Sequence, residues 1–202
     1  ELRRARVPPA RDDKVLTSWN ALMVRGMARA ARLLGHPEWF ASAGRAVDFI
    51  RSQLWRDDDL RASWKDGRAR FNAYLDDHAF LLDALLEMLQ TRYRHVDLQF
   101  AEDLADALLE RFEDQADGGF FFTSHDHEEL LQRPKPIHDS AMPSGNGVAA
   151  FALQRLGHLT GERRYLDAAE RCLQAFFAGL RAQPGGQASM LAALEEWLAS
   201  RP

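Results

Sequence analysis

The sequence has 202 residues, a net charge of −4 from 26 Lys+Arg against 30 Asp+Glu, and 46% hydrophobic residues. This is enough apolar material for one sizeable core, and the charge balance argues against a nucleic-acid partner, which needs a basic stripe or patch. A single cysteine, Cys172, excludes an internal disulfide and any cysteine-pair redox or metal motif.

The N-terminal stretch ELRRARVPPAR is basic, but Asp12 and Asp13 follow at once, so it reads as a solvated segment. It has no apolar signal core, which makes a cytoplasmic location the expectation. A first residue of Glu1 rather than Met is what a segment of a longer protein would show. Next, TSWNALMVRGMARAARLLG places Trp19, Leu22, Met23, Gly26, Ala30, Leu33 and Leu34 at helical spacing. Gly35 is positioned to stop that helix, and Pro37 suits the first turn of the next, WFASAGRAVDFIRSQLW. The two make a helix hairpin.

The hairpin recurs. Displaced by 58 positions, Phe40, Ala43, Val47, Ile50 and Leu54 fall on Leu98, Ala101, Ala105, Leu108 and Phe112. Displaced by 126, they fall on Leu166, Ala169, Leu173, Phe176 and Leu180, with Gly161 in the column of Gly35. A shared register of this kind marks a repeated supersecondary unit. The expected fold is all-α, an α/α hairpin repeat in a single domain over residues 1–202, with ASMLAALEEWLAS as half of a fourth unit. Small β insertions interrupt it. DDDLRASWKDGRARF carries the turn pair Asp66-Gly67 of a β-hairpin, and Gly118-Gly119 open a short strand, FFFT, before a long connection. The run HAFLLDALLEML is broken by Asp83 and Glu87, so it is no membrane span.

The same displacements align Ser18, Asp76 and Ser144, residue types that cap helix N-termini, and also Asn20, His78 and Asn146. Both long connections precede the first helix of a pair, so the polar loops gather at one rim. That rim takes in Asp12, Asp13, Lys14, Ser18, Trp19, Asn20, Trp64, Arg70, Tyr74, Asp76, Asp77 and His78. From the long connection it adds Phe121, Thr123, His138, Asp139, Ser144 and Asn146. Carboxylates beside aromatic rings suit a sugar, because acids transfer protons or bond hydroxyls while rings stack on C–H faces. In YLDDHAFL, Asp76 fits a helix cap as well as an acid. Asp77 is the first choice for a working acid, although a first-turn acid favoured by the helix dipole would look the same. His78 shares its column with two asparagines and fits polar contact better than proton transfer. HDHEE has no recognised metal-ligand spacing and reads as a solvated loop. PSGNG could hold an anion at free N–H groups or allow close helix packing, and the second account is simpler. Cys172 fits a buried, inert thiol. Neither a metal nor a cofactor is expected.

The segments RDDKVLTSWNALM, AYLDDHAFLLDALLE, GGFFFT and SAMPSGNGVAAFALQRLGHLTG, in that order, resemble the helical region of thioredoxin-domain proteins related to spermatogenesis-associated protein 20. The resemblance covers about residues 4 to 194. It implies a six-hairpin, glycosidase-like (α/α)6 toroid, similar to N-acylglucosamine 2-epimerases, of which three and a half hairpins are present. On that likeness Asp12, Asp13, Lys14, Trp19, Asn20, Asp76, Asp77, Ser144, Gly145 and Asn146 are the matching residues. The family's thioredoxin-like part is absent from this chain. Two readings follow. One is a sugar-binding or sugar-transforming toroid fragment, with Asp77 and Asp76 as acids and Tyr74 and His78 among the contacts. The other is a non-catalytic repeat domain serving a thioredoxin-like module. An open half-ring would also leave apolar helix faces free, so the expectation is a homodimer through the open face, or aggregation, unless the other half is supplied.

Overall fold

The computed structural model describes residues 6–7, 11–127 and 131–200. Most of the basic N-terminal stretch, and Glu128 and Glu129 of HDHEE, lie outside the described residues. Seven helices run through the described residues: α1 (Thr17–Leu34), α2 (Pro37–Gln53), α3 (Leu75–Thr91), α4 (His95–Arg111), α5 (Gly145–Thr160), α6 (Arg163–Ala182) and α7 (Ala188–Ala199). Their limits follow local chemistry. Gly35 (φ 73°) and Gly161 (φ 81°) take the left-handed conformation that ends α1 and α5, and each N–H returns to the carbonyl four residues back. Pro37 occupies the first position of α2, where its missing N–H costs nothing.

The helices stack as two layers. α1, α3, α5 and α7 pack side by side in that order, and α2, α4 and α6 lie behind their hairpin partners. Alternating direction places the N-termini of all four inner helices at one rim. Of the fifteen repeat positions, eleven are buried and none is exposed. α3 is the middle of the wall, with Leu75 and every residue from Asp77 to Met88 buried. The architecture is that of an α/α toroid segment, as the hairpin register predicts.

The β-hairpin is present as β3 (Asp59–Lys65) and β4 (Arg68–Asn72), closed by Asp66 (φ 52°) and Gly67 (φ 75°). Two positive φ values in succession are what a type I′ turn needs, and Asp-Gly supplies them at little strain. Two short strands not visible in the sequence, β1 (Val15–Leu16) and β2 (Trp55–Arg56), pair antiparallel with β3. FFFT is not a strand. Only Phe120 makes an isolated bridge, to Glu113. The segment pairs residue by residue with different partners: the Asn146 side chain holds Phe120, the Phe121 and Phe122 N–H groups donate to the Phe112 and Pro134 carbonyls, and the Phe122 carbonyl accepts the Leu75 N–H.

Candidate functional site at the inner-helix rim

The rim is held together by two carboxylates, Asp77 buried and Asp139 half-buried, that each accept backbone N–H groups from two elements at once. Asp77, in the first turn of α3, accepts the Ser18 N–H at Oδ1 and the Tyr74 N–H at Oδ2, both at 2.9 Å. It thereby fastens the start of α1 to the start of α3. Asp139 does the same one pair further on. Its Oδ1 accepts the Ser144 N–H at 2.8 Å and the Ser189 hydroxyl, and its Oδ2 accepts the Ser189 N–H at 2.9 Å, joining α5 to α7.

Asp76 sits between these two clamps. It is half-buried, its Oδ1 lies against Gly145 where a Cβ could not fit, and it receives no hydrogen bond from a described residue. Burial, and then the adjacent Asp77 charge, raise its carboxyl to about 6. Burial also lifts Asp77 to about 6, against the downward pull of the Tyr74 and Ser18 bonds. Two N–H donors make Asp77 the better place for a negative charge, which leaves Asp76 as the better place for a proton. The capping expectation is corrected here: the N-cap of α3 is Tyr74, and Asp77 rather than Asp76 accepts its N–H. Ser18 is no cap either, since α1 begins after Leu16. Only Ser144 caps, accepting the Gly147 N–H at 3.4 Å, because α5 starts two residues later in the repeat than α1 and α3.

The remaining sequence candidates disperse. Asn146 is fully buried, and its amide group pairs with both the N–H and the carbonyl of Phe120, at 2.7 and 2.9 Å, and with the Pro136 carbonyl at 3.0 Å. Asn20 donates to its own Leu16 carbonyl. Asp12, Asp13 and Lys14 are exposed and gather around Lys65. Trp19 is 62% exposed on the free side of α1. Tyr74 stacks between Phe122 and His127. His78 is buried against Phe112 with Nδ1 3.1 Å from the Tyr74 carbonyl, and burial pushes it down to about 4, so it is a neutral imidazole. Cys172 is buried beside Asn146, and burial raises its thiol out of reach of ionisation.

The wall below the rim carries residues that sequence reading treated only as interruptions. Asp83 and Glu87, both buried, lie one and two turns further along the stripe of α3 that begins at Asp76 and Phe80. Arg25 Nε stands 2.6 Å from Asp83 Oδ2, Arg155 approaches Asp83 Oδ1 at 3.4 Å, and Arg32 pairs with Glu87. A cavity of about 460 Å3 opens here, lined by Arg25, Asp83, Asp139, Met142, Phe151, Ser189 and their neighbours from four inner elements. The signal was present in the repeat. Displacing Arg25 by 58 and 126 gives Asp83 and Phe151, and displacing Arg29 gives Glu87 and Arg155.

Comparison with known proteins agrees with this architecture. No family model matches the chain. Spermatogenesis-associated protein 20 of Rattus norvegicus is 29% identical over 201 residues, covering 91% of this chain and 25% of that protein. The Homo sapiens protein of the same name is 29% identical over 209 residues, covering 96% and 26%. The chain thus spans about a quarter of the curated relatives it matches, and the resemblance carried by its four motifs is borne out. Among solved structures, cellobiose 2-epimerase from Spirochaeta thermophila superposes with a TM-score of 0.64 at 20% identity, over 81% of this chain and 43% of that one. The GH76 α-mannanase BT2949 of Bacteroides thetaiotaomicron gives 0.68 at 13% identity, over 86% and 47%. An inactive α-1,6-mannanase variant of Salegentibacter sp., with asparagine in place of two consecutive aspartates and α-1,6-mannotriose bound, gives 0.64 at 16% identity, over 80% and 46%.

Proposed function

We propose that the concave face of this helical wall binds carbohydrate and that the Asp76–Asp77 pair at its rim carries acid/base chemistry on the bound sugar. One observation carries the reading: of two adjacent carboxylates, Asp77 has both oxygens engaged by backbone N–H groups while Asp76, half-buried beside it, has neither engaged. A fixed, charged neighbour that holds a second carboxyl partly protonated near neutral pH is the arrangement general acid catalysis calls for. The ranking expected from sequence is thereby reversed, with Asp76 as the working acid and Asp77 as its positioning residue. The superposed sugar epimerase and mannanases support the choice of ligand, as does the mannanase made inactive at two consecutive aspartates.

Calorimetric titration with cello- and manno-oligosaccharides is the direct test. A saturable signal should appear in the parent and survive in Asp76→Asn, with the melting temperature kept or raised, while conversion of the bound sugar, followed by chromatography, should fall by roughly a hundredfold or more. Full conversion in Asp76→Asn, or no saturable signal with any sugar in the parent, would remove the proposal.

A further inference from the structure

Below the Asp76–Asp77 rim, the α1–α3–α5 part of the concave wall is crowded with guanidiniums. Four guanidiniums, Arg25, Arg29, Arg32 and Arg155, stand around two buried carboxylates, Asp83 and Glu87. The carboxylates are 3% and 5% exposed at the side chain, whereas Arg25 and Arg32 keep 37% and 36% of theirs open. Arg29, exposed one turn from Arg25 and near enough to Asp83 to act on its charge, has no ion-pair partner among the described residues. Arg155 also lies over the Phe151 ring, 5.3 Å from its centre, and Phe151 lines the cavity together with Arg25 and Asp83. With Asp139, which also lines the cavity, the four guanidiniums face three carboxylates, so the excess below the rim is one positive charge, while the chain as a whole carries −4.

We infer that the ligand of this wall is an anionic sugar whose carboxylate or phosphate is received by Arg29 together with the open N–H groups of Arg25. This deepens the carbohydrate reading and rests on it. A buried carboxylate needs one partner, yet Asp83 holds two guanidiniums and has a third nearby. Asp83 and Glu87 are therefore positioning residues: each fixes a planar donor fork at the wall and leaves its remaining N–H groups facing outward. Such forks recognise planar carboxylates and phosphates in a way that a neutral hydroxyl cannot match. The apolar part of the cavity, Phe151 with Met142 and Val148, offers surface for a sugar ring, and about 460 Å3 accommodates one or two rings.

The test is calorimetry of the chain with five probes: glucose, cellobiose, glucuronate, glucose 6-phosphate and inorganic phosphate. At least one of the two anionic sugars should bind roughly tenfold or more tightly than glucose, the worth of one charge-assisted hydrogen bond, and added salt should weaken it. The advantage should vanish in Arg29→Ala, which breaks no ion pair and leaves the melting temperature unchanged, and should return in part in Arg29→Lys. Comparing glucuronate with glucose 6-phosphate separates the carboxylate from the phosphate. Glucose and cellobiose binding as well as the anionic sugars would overturn the anionic ligand and leave the carbohydrate reading standing. Inorganic phosphate binding as well as glucose 6-phosphate through Arg29, with no heat from either neutral sugar, would keep the anion site and overturn the sugar. An Arg29→Ala chain that retains the anion preference would overturn the assignment outright.

Discussion

Asp76 and Asp77 are neighbours with the same side chain and opposite duties, and stability separates them without any ligand. Asp77→Asn keeps the shape but turns one acceptor into a donor that faces a backbone N–H, at Ser18 or at Tyr74. The loss is about 2 kcal/mol, which lowers the melting temperature by roughly 4–8 °C in a chain of this size. Asp76→Asn breaks no bond and removes a repelling charge, so it should be neutral or stabilising. The pH dependence carries the sign. Asp76 has its carboxyl raised from the usual range to about 6, so the folded state prefers it protonated. Whatever stability that preference gives is complete below pH 4 and fades as pH rises through 6. Denaturant titrations from pH 4 to pH 8 should therefore show the parent losing on the order of 2 kcal/mol relative to Asp76→Asn, at about 1.4 kcal/mol for each tenfold change in proton affinity. Parallel curves for parent and variant would mean that Asp76 is ionised throughout and is no proton store.

At the scale of elements, the glycine-rich start of α5 is a packing device. A Cβ on Gly147 would come within 2.7 Å of the Met190 N and 2.8 Å of the Ser189 C, both backbone atoms of α7 that cannot rotate away. Gly147→Ala should raise the helix propensity of α5 by about 1 kcal/mol and still destabilise the protein by about 2 kcal/mol or more, through overpacking. Urea unfolding gives the sign directly, and a stabilised variant would show that α7 can move off the wall. PSGNG was readable as such a start because small residues in a helix's first turn have few other uses. The hairpins were readable for a similar reason, since Gly35, Gly161 and Asp66-Gly67 act within their own turns. Legibility failed where partners lie far apart in the chain. Asn146 looks like a ligand contact by type and column, but it is spent on Phe120, 26 residues away, and no periodicity announces that pairing. Arg25, Asp83 and Glu87 stood in the repeat columns all along. An acid in an apolar run reads as a break until its cation, 58 or 55 positions off, is seen beside it.

For the whole molecule, the apolar face of α1 shows what periodicity cannot decide. Trp19, Met23, Leu33 and Leu34 recur at core spacing, yet they are 62%, 63%, 67% and 65% exposed, on the side of α1 away from α3. At the other end of the wall, Phe177 and Leu198 flank an open groove between α6 and α7. A helical pattern identifies an apolar face without saying which element covers it, and here no described residue covers either edge. Burying four such side chains is worth about 1.5–3 kcal/mol each, against a cost of association of roughly 4–15 kcal/mol. The two nearly cancel, so we propose that the α1 face takes a second copy of the chain with an affinity that depends visibly on concentration. Light scattering over a hundredfold dilution series should show the mean mass falling towards 22.9 kDa. Trp19→Glu with Met23→Lys should hold the chain at that mass throughout, with helix content unchanged, because neither side chain supports the core. A parent that scatters as a monomer at every concentration would show that the Trp19–Leu34 stripe does not bind a second copy.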